Sequence, residues 1–192
     1  MRKPAVSTAL SSAARAFAAL VLLAPPPAAA AFPDKPPRIL VGYAAGGSSD
    51  LIARFIAEAA SPGLGQRILV ENKPGLNGVL GAEVVVRAPP DGYSVFQCPM
   101  STLSITPQLI GVSGFEITGW FGICGPKGMP AEALTRWDDA IRQAMQDAAF
   151  LKRLRDAGFT PLYEGPAAFA RRYESDRKRW GEVIRASKVG AQ

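Results

Sequence analysis

The sequence predicts an α/β fold: a single lobe built on a mostly parallel sheet, flanked by helices and joined by one antiparallel returning strand. Three observations carry this expectation. Short apolar runs alternate with helix-periodic stretches in the order strand, helix, strand, helix, strand between residues 38 and 98, which is the pattern of parallel strands with helical crossovers. Glycine and proline clusters separate the segments, as turns require. A further apolar run, Gly119 to Cys124, is expected to return antiparallel beside the third strand.

The elements follow in order. Met1-Arg2-Lys3 is basic, residues 16–24 (A-F-A-A-L-V-L-L-A) are apolar, and Pro25-Pro26-Pro27 precedes the small residues 28–31. This is the layout of a cleaved export signal over residues 1–30. The apolar run is too short to span a bilayer, which takes about 20 residues. Residues 31–192 are then expected to form the lobe. Arg38 to Tyr43 reads as a short buried strand. Asp50 to Ala60 places Leu51, Ile52, Phe55, Ile56 and Ala59 at helical spacing, with Ser48 or Ser49 as N-cap and Asp50 in the first turn. Pro62-Gly63 is expected to end this helix. Arg67 to Glu71 is a second strand, residues 72–75 a turn, Gly78 to Ala88 a second helix, and Tyr93 to Cys98 a third strand.

After Gly125-Pro126, the residues Leu134, Trp137, Ile141 and Met145 mark another helix. A shorter helix, Ala148 to Ala157, stops at Gly158, where glycine tolerates a left-handed backbone. Thr160 to Glu164 reads as an edge strand, and Phe169, Tyr173, Trp180 and Ile184 as the stripe of a last long helix.

Composition removes several function classes. The formal charge is +6, but Arg2, Lys3 and Arg15 lie in the signal segment, which leaves +3 on residues 31–192. The remaining basic clusters, Arg171-Arg172 and Arg177-Lys178-Arg179, alternate with acids on a helical stretch and describe a solvated face rather than a nucleic-acid surface. The chain has no histidine, so the commonest general base and metal ligand are both missing. No nucleophile–base pair can be assembled, and an exported hydrolase is disfavoured. The two cysteines, Cys98 and Cys124, are too few for a zinc site or a disulfide scaffold. They either pair in an oxidising compartment or serve as two small buried hydrophobes, and the second reading is slightly favoured.

The functional signal lies in G-Y-A-A-G-G-S-S-D, residues 42–50, between the first strand and first helix. So little side chain at a helix N-terminus lets a small anion approach backbone N–H groups. The spacing matches neither a dinucleotide fingerprint nor a phosphate-binding loop, and no cofactor is expected. Tyr43, Ala45, Gly46, Gly47, Ser48, Ser49 and Asp50 are candidates to hold an organic carboxylate, neutral overall or singly charged. Two more loops should meet them, because the carboxyl ends of parallel strands face one way. These contain Gly75, Asn77 and Gly78 after the second strand, and Ser101 and Thr102 after the third.

The stretches P-x-K-P-x-R-I-L-V-x-Y-A-A-G-G-S-S-D-L-I-A-R, V-E-N-K-P-G, A-P-P-D-G-Y and S-T-L-S-I resemble the Bug (TctC-type) solute-binding proteins of tripartite tricarboxylate transporters. So do W-F-G-I-C-G-P-K-G-M-P-A-E-A-L-T-R and R-W-G-E-V-I-R-A-S-K near the C-terminus. The resemblance implies a periplasmic-binding-protein type II-like lobe, a periplasmic location, a small organic carboxylate as ligand and transporter membrane subunits as partners. It also implies that Tyr43 to Asp50, Gly75 to Gly78 and Ser101-Thr102 are ligand-facing. One departure is large. The family builds a second lobe after a point like Pro107, whereas here Ile110 runs at once into Gly111-Val112-Ser113-Gly114. The likeness therefore divides the lobe into residues 31–103, a short linker 104–116 in place of the second lobe, and residues 117–192.

Two readings follow. In the first, the protein is a carboxylate receptor weakened or made vestigial by the loss of one jaw. In the second, the uncovered face is a periplasmic protein–protein interaction module. A monomer or weak self-association suits either.

Overall fold

A computed structural model describes residues 31–100 and 119–186. The expected export signal, the linker 104–116, Ser101 and Thr102 lie outside the described residues, as does the side chain of Ile184.

The described chain runs β1 (Arg38–Val41), α1 (Ser48–Leu64), β2 (Leu69–Asn72), a 3₁₀ turn (Leu76–Gly78), α2 (Val79–Val86) and β3 (Ser94–Pro99). After residue 118 come β4 (Phe121–Cys124), α3 (Ala131–Ala144), α4 (Ala148–Asp156) and α5 (Pro166–Ala186). The sheet order is β2-β1-β3-β4. β1 pairs in parallel with β2 and β3, with Val41 opposite Asn72 and Gln97. β4 returns antiparallel on β3, with Phe96 opposite Cys124 and Cys98 opposite Gly122. The predicted mixed sheet is present, and all three parallel strands end on one side.

Alternation along the strands sends side chains to two apolar layers. Ile39, Val41 and Val95 pack with Ala53, Ala57, Ala60 and Leu64 of α1 and with Trp137 and Ala140 of α3. Leu40, Phe96 and Cys98 pack on the opposite face with Val85 of α2, joined by Trp120 and Phe169. Close approach is built into both layers. A Cβ at Gly63 would stand 2.9 Å from Ala140 Cα, and one at Gly122 2.3 Å from the Phe169 ring. Trp120 Nε1 also donates to Asp176 at 2.6 Å, tying the lead into β4 to α5.

Several expectations change in detail. Of the apolar residues expected along one face of α1, Ile52 and Phe55 are buried in the core, while the stripe packed on the sheet is Ala53, Ala57, Ala60 and Leu64. Ile52 and Phe55 instead meet Ala144, Phe150 and Leu154 of α3 and α4. Alanines let the helix lie close to the sheet, and the bulky residues fill the wider gap between helices. The helix also passes through Pro62 and stops at Gly65, whose φ of 73° is left-handed. Gly65 N–H closes the helix on the Ser61 and Pro62 carbonyls. Neither serine caps α1: Gly47 is its N-cap and no side chain takes that role.

Thr160 to Glu164 forms no strand. Side chains hold this segment instead: Tyr163 donates to Asp138 at 2.8 Å, and Arg172 clasps Glu164. The cysteines are not separate hydrophobes; Cys98 and Cys124 form a disulfide. They are diagonal neighbours across β3 and β4 on one sheet face, a proximity set by the β3–β4 register.

Candidate functional site

At the carboxyl ends of β1 and β2, two loops meet through glycine. A Cβ on Gly42 would fall 2.4 Å from Gly78 Cα, and one on Gly81 would fall 2.9 Å from Gly42 Cα. Any side chain at these positions would drive the start of α2 away from the end of β1. Tyr43 adds a bond across the same seam, its hydroxyl donating to the Asn77 carbonyl at 3.0 Å.

The first loop is held by a charged network centred on Asp50. Its carboxylate accepts from Gly46 N–H at 2.9 Å, Arg54 Nε at 2.9 Å and Asn72 Nδ2 at 3.0 Å. Arg54 Nη2 stands 2.9 Å from the other oxygen. Asn72 Nδ2 also donates to the Tyr43 carbonyl at 3.0 Å, linking β2 to the loop after β1. The Arg54 guanidinium, helped by the Gly46 and Asn72 donors, lowers the Asp50 pKa to about 2 against the opposing effect of burial. Both carboxylate oxygens are thus engaged within the protein. Asp50 shapes the loop, and its charge is cancelled locally by Arg54.

What the network holds in place is bare backbone. Ala44, Ala45, Gly46, Gly47 and Ser48 are exposed, while Ser49 and Asp50 are buried. Gly46 has φ of +87°, a left-handed value suited to glycine, with open space where a Cβ would stand. Gly47 is extended at φ −82°, so only one of the glycine pair is needed for backbone conformation. The first N–H groups of α1 have no acceptor within the helix and receive no side-chain cap. They form a positive helix end of the kind that accepts a carboxylate.

The second loop is held differently. Gly75, Leu76, Asn77 and Gly78 all have positive φ, at 142°, 47°, 51° and 90°. Leucine disfavours that region, and such runs persist only where the surroundings impose them. Leu76 is 70% exposed, so its side chain gains little from the arrangement. The Gly75 carbonyl accepts from Gly78 N–H at 3.0 Å, closing the turn.

The structure thus gathers Tyr43, Ala45, Gly46, Gly47, Ser48, Ser49, Asp50, Gly75, Asn77 and Gly78 at one end of the sheet. Sequence reasoning did not single out Arg54, Asn72 or Gly81 as parts of this end, and it placed Gly42 in the loop stretch without naming it as a contact. For Arg54 the signal was its i+4 spacing from Asp50; for Gly42 and Gly81 it was glycine at a strand end and inside a helix. Asn72 gave none, since its role depends on β2 lying beside β1.

The mixed sheet flanked by helices is the fold of a single lobe of periplasmic-binding-protein-like structures. The chain is similar to the structure of periplasmic binding protein BugD, with a TM-score of 0.77 and 18% identity over 84% of this chain and 100% of that one. It is also similar to MatC from Rhodopseudomonas palustris with bound malate, at TM-score 0.73 and 16% identity, covering 80% of this chain and 100% of that one. In sequence it is 48% identical over 119 residues to a UPF0065 protein of Cupriavidus necator, covering 55% of this chain and 35% of that protein. The chain thus spans about a third of that relative's length. The family model described as "Tripartite tricarboxylate transporter family receptor" matches residues 52–110 and 106–189. The chain belongs to that receptor family.

Proposed function

We propose that the protein is an extracytoplasmic solute receptor that takes a small organic carboxylate on the backbone of residues 44–49, and that it binds weakly because one lobe is missing. The observation that carries this reading is the uncapped, exposed start of α1, held open by the Asp50–Arg54–Asn72 network. Gly46 N–H is spent on Asp50, and the amides left for an external anion are those at the start of α1, which no side chain caps. Ser48, Ser49 and Asn77 are the nearby side chains with donors, and Ser101 and Thr102 complete the expected set from the third loop. No cofactor enters this reading, and nucleic acid is not a partner.

The missing jaw is supported by the family match, whose two stretches meet at residues 106–110, inside the linker expected to replace the second lobe. Removing an insertion there is tolerable, because closing a short linker costs little entropy. The domain layout is an export signal over 1–30, a first part 31–103, the linker 104–116 and a second part 117–192. Export would place the protein in the periplasm, where transporter membrane subunits are its partners.

A half-site buries only part of its ligand, whereas tight pockets cover about 70–90% of it. Dissociation constants on the order of millimolar, about −4 kcal/mol, follow. Calorimetry and thermal melting against a panel of carboxylates test this. Millimolar stabilisation supports the reading, micromolar affinity of the monomer overturns the weakness, and no response to any carboxylate overturns the receptor assignment. A concentration-dependent mass measurement on the same samples would reveal self-association through the uncovered face.

A further inference from the structure

The second part of the chain holds on to the first by two attachments of different strength. On the α1 side, α3 buries Ala133, Trp137, Ala140 and Ala144. Trp137 joins the layer of Ile39, Val41 and Val95, and its Nε1 donates to the Gly92 carbonyl at 2.9 Å. The other attachment is thinner. β4 is an edge strand of four residues, none of them buried, while its partner β3 is buried along its whole length. α5 hangs on β4 and its lead-in: the Phe169 ring crowds Gly122 and stands edge-on to Trp120 at 5.0 Å. The Trp120 bond to Asp176 is the second link. Gln97, opposite Ile123 in β4, is wholly buried with neither amide atom matched, a desolvation cost carried beside this same pair.

A covalent bond runs across the thinner attachment. Cys98 of β3 and Cys124 of β4 are joined over a sequence separation of 26, and closing a loop of that length removes many open arrangements of the chain. Cys98 is wholly buried, whereas Cys124 is only half-buried, so the edge-strand cysteine is the more accessible of the two.

We propose that Cys98–Cys124 is a redox-sensitive clamp. Oxidised, it holds β4 and α5 on the sheet; reduced, it lets them open together while β2-β1-β3, α1 and α3 stay folded. The reductant is an external dithiol. Its two electrons and two protons pass to the bond, the S–S bond breaks, two thiols form, and the dithiol becomes a disulfide. An oxidising compartment therefore keeps the lobe closed. No ligand is needed for this behaviour.

The test is hydrogen–deuterium exchange on the full chain before and after dithiothreitol, with thiol titration to show that two thiols have formed. Peptides covering β4 and α5 should exchange at least about 10-fold faster once reduced, while those covering α3 change by less than about 2-fold. Cys98→Ala/Cys124→Ala should reproduce the reduced pattern without reductant and ignore dithiothreitol. If that variant does not fold, reoxidation of the reduced wild type with oxidised glutathione should restore protection of β4 and α5. Equal acceleration of α3, β4 and α5 would make the bond a staple of the whole lobe and overturn the proposal. Unchanged exchange after reduction also overturns it, as do two free thiols before reduction or a bond that dithiothreitol leaves intact in the folded protein.

Discussion

The two loops at the carboxyl end of the sheet hold their backbones by opposite means. Residues 42–50 are fixed by side chains: Asp50 gathers Gly46, Arg54 and Asn72 around one carboxylate, and only Gly46 in that stretch has positive φ. Residues 75–78 are fixed by conformation, with four successive positive φ values and a glycine seam against Gly42. A side-chain network can be titrated and removed piecemeal, whereas a steric seam fails at the first added atom. The loop proposed to offer amides to a ligand is the one held by a network, and residues 44–48 of it are exposed.

The seam should be the more fragile. Gly42→Ala places a Cβ against Gly78 backbone, where no flexible side chain can yield. We expect a loss of about 3 kcal/mol in urea unfolding, the upper range for overpacking. A loss under about 1 kcal/mol would mean the two loops part easily and are not a rigid unit.

Asp50→Asn comes next. The lowered pKa of Asp50, from 3.8 to about 2, corresponds to stability on the order of 2 kcal/mol from the ionised form. Because the folded value is depressed, that stability is fully present above about pH 4 and is lost as pH falls toward about 2. The variant should lack it at pH 7 and show a flatter acid limb in melts between pH 5 and pH 2. Equal acid limbs would remove Asp50 from the centre of the network.

Within the first loop the two glycines should differ. Gly46→Ala forces alanine into φ of +87° and should cost about 1 kcal/mol through backbone strain alone. Gly47→Ser is the smallest effect and the most telling. At this N-cap position a serine should add a few tenths of a kcal/mol of stability. Its hydroxyl would also occupy the free amides of α1, so carboxylate-induced stabilisation should shrink as the apoprotein melts higher. Gain of stability with unchanged ligand response would place the ligand elsewhere.

Much of this was legible in the residues. The alternation of apolar runs with helical spacing marked β1 to β3 and their crossovers, because burial on both sheet faces imposes it. The glycine-rich stretch marked the loop before α1. The apolar spacing of α1 marked Ile52 and Phe55, which are buried, but not the small stripe Ala53, Ala57 and Ala60 that lets the helix lie close on the sheet. The Thr160–Glu164 segment looked like a strand locally, but its contacts are the long-range side-chain bonds of Tyr163 and Glu164.

By itself, then, the sequence determined the kind of fold, the order of its elements and the place of the bare loop, since these depend on local spacing and backbone freedom. The tertiary structure alone decided that Cys98 and Cys124 meet, that Asp50 is bound by Asn72 from another strand, that position 42 must lack a side chain because Gly78 backbone lies against it, and that Gln97 lies buried without a partner. Each of these depends on residues far apart in the chain being brought into register by strand pairing. No local pattern encodes that distance.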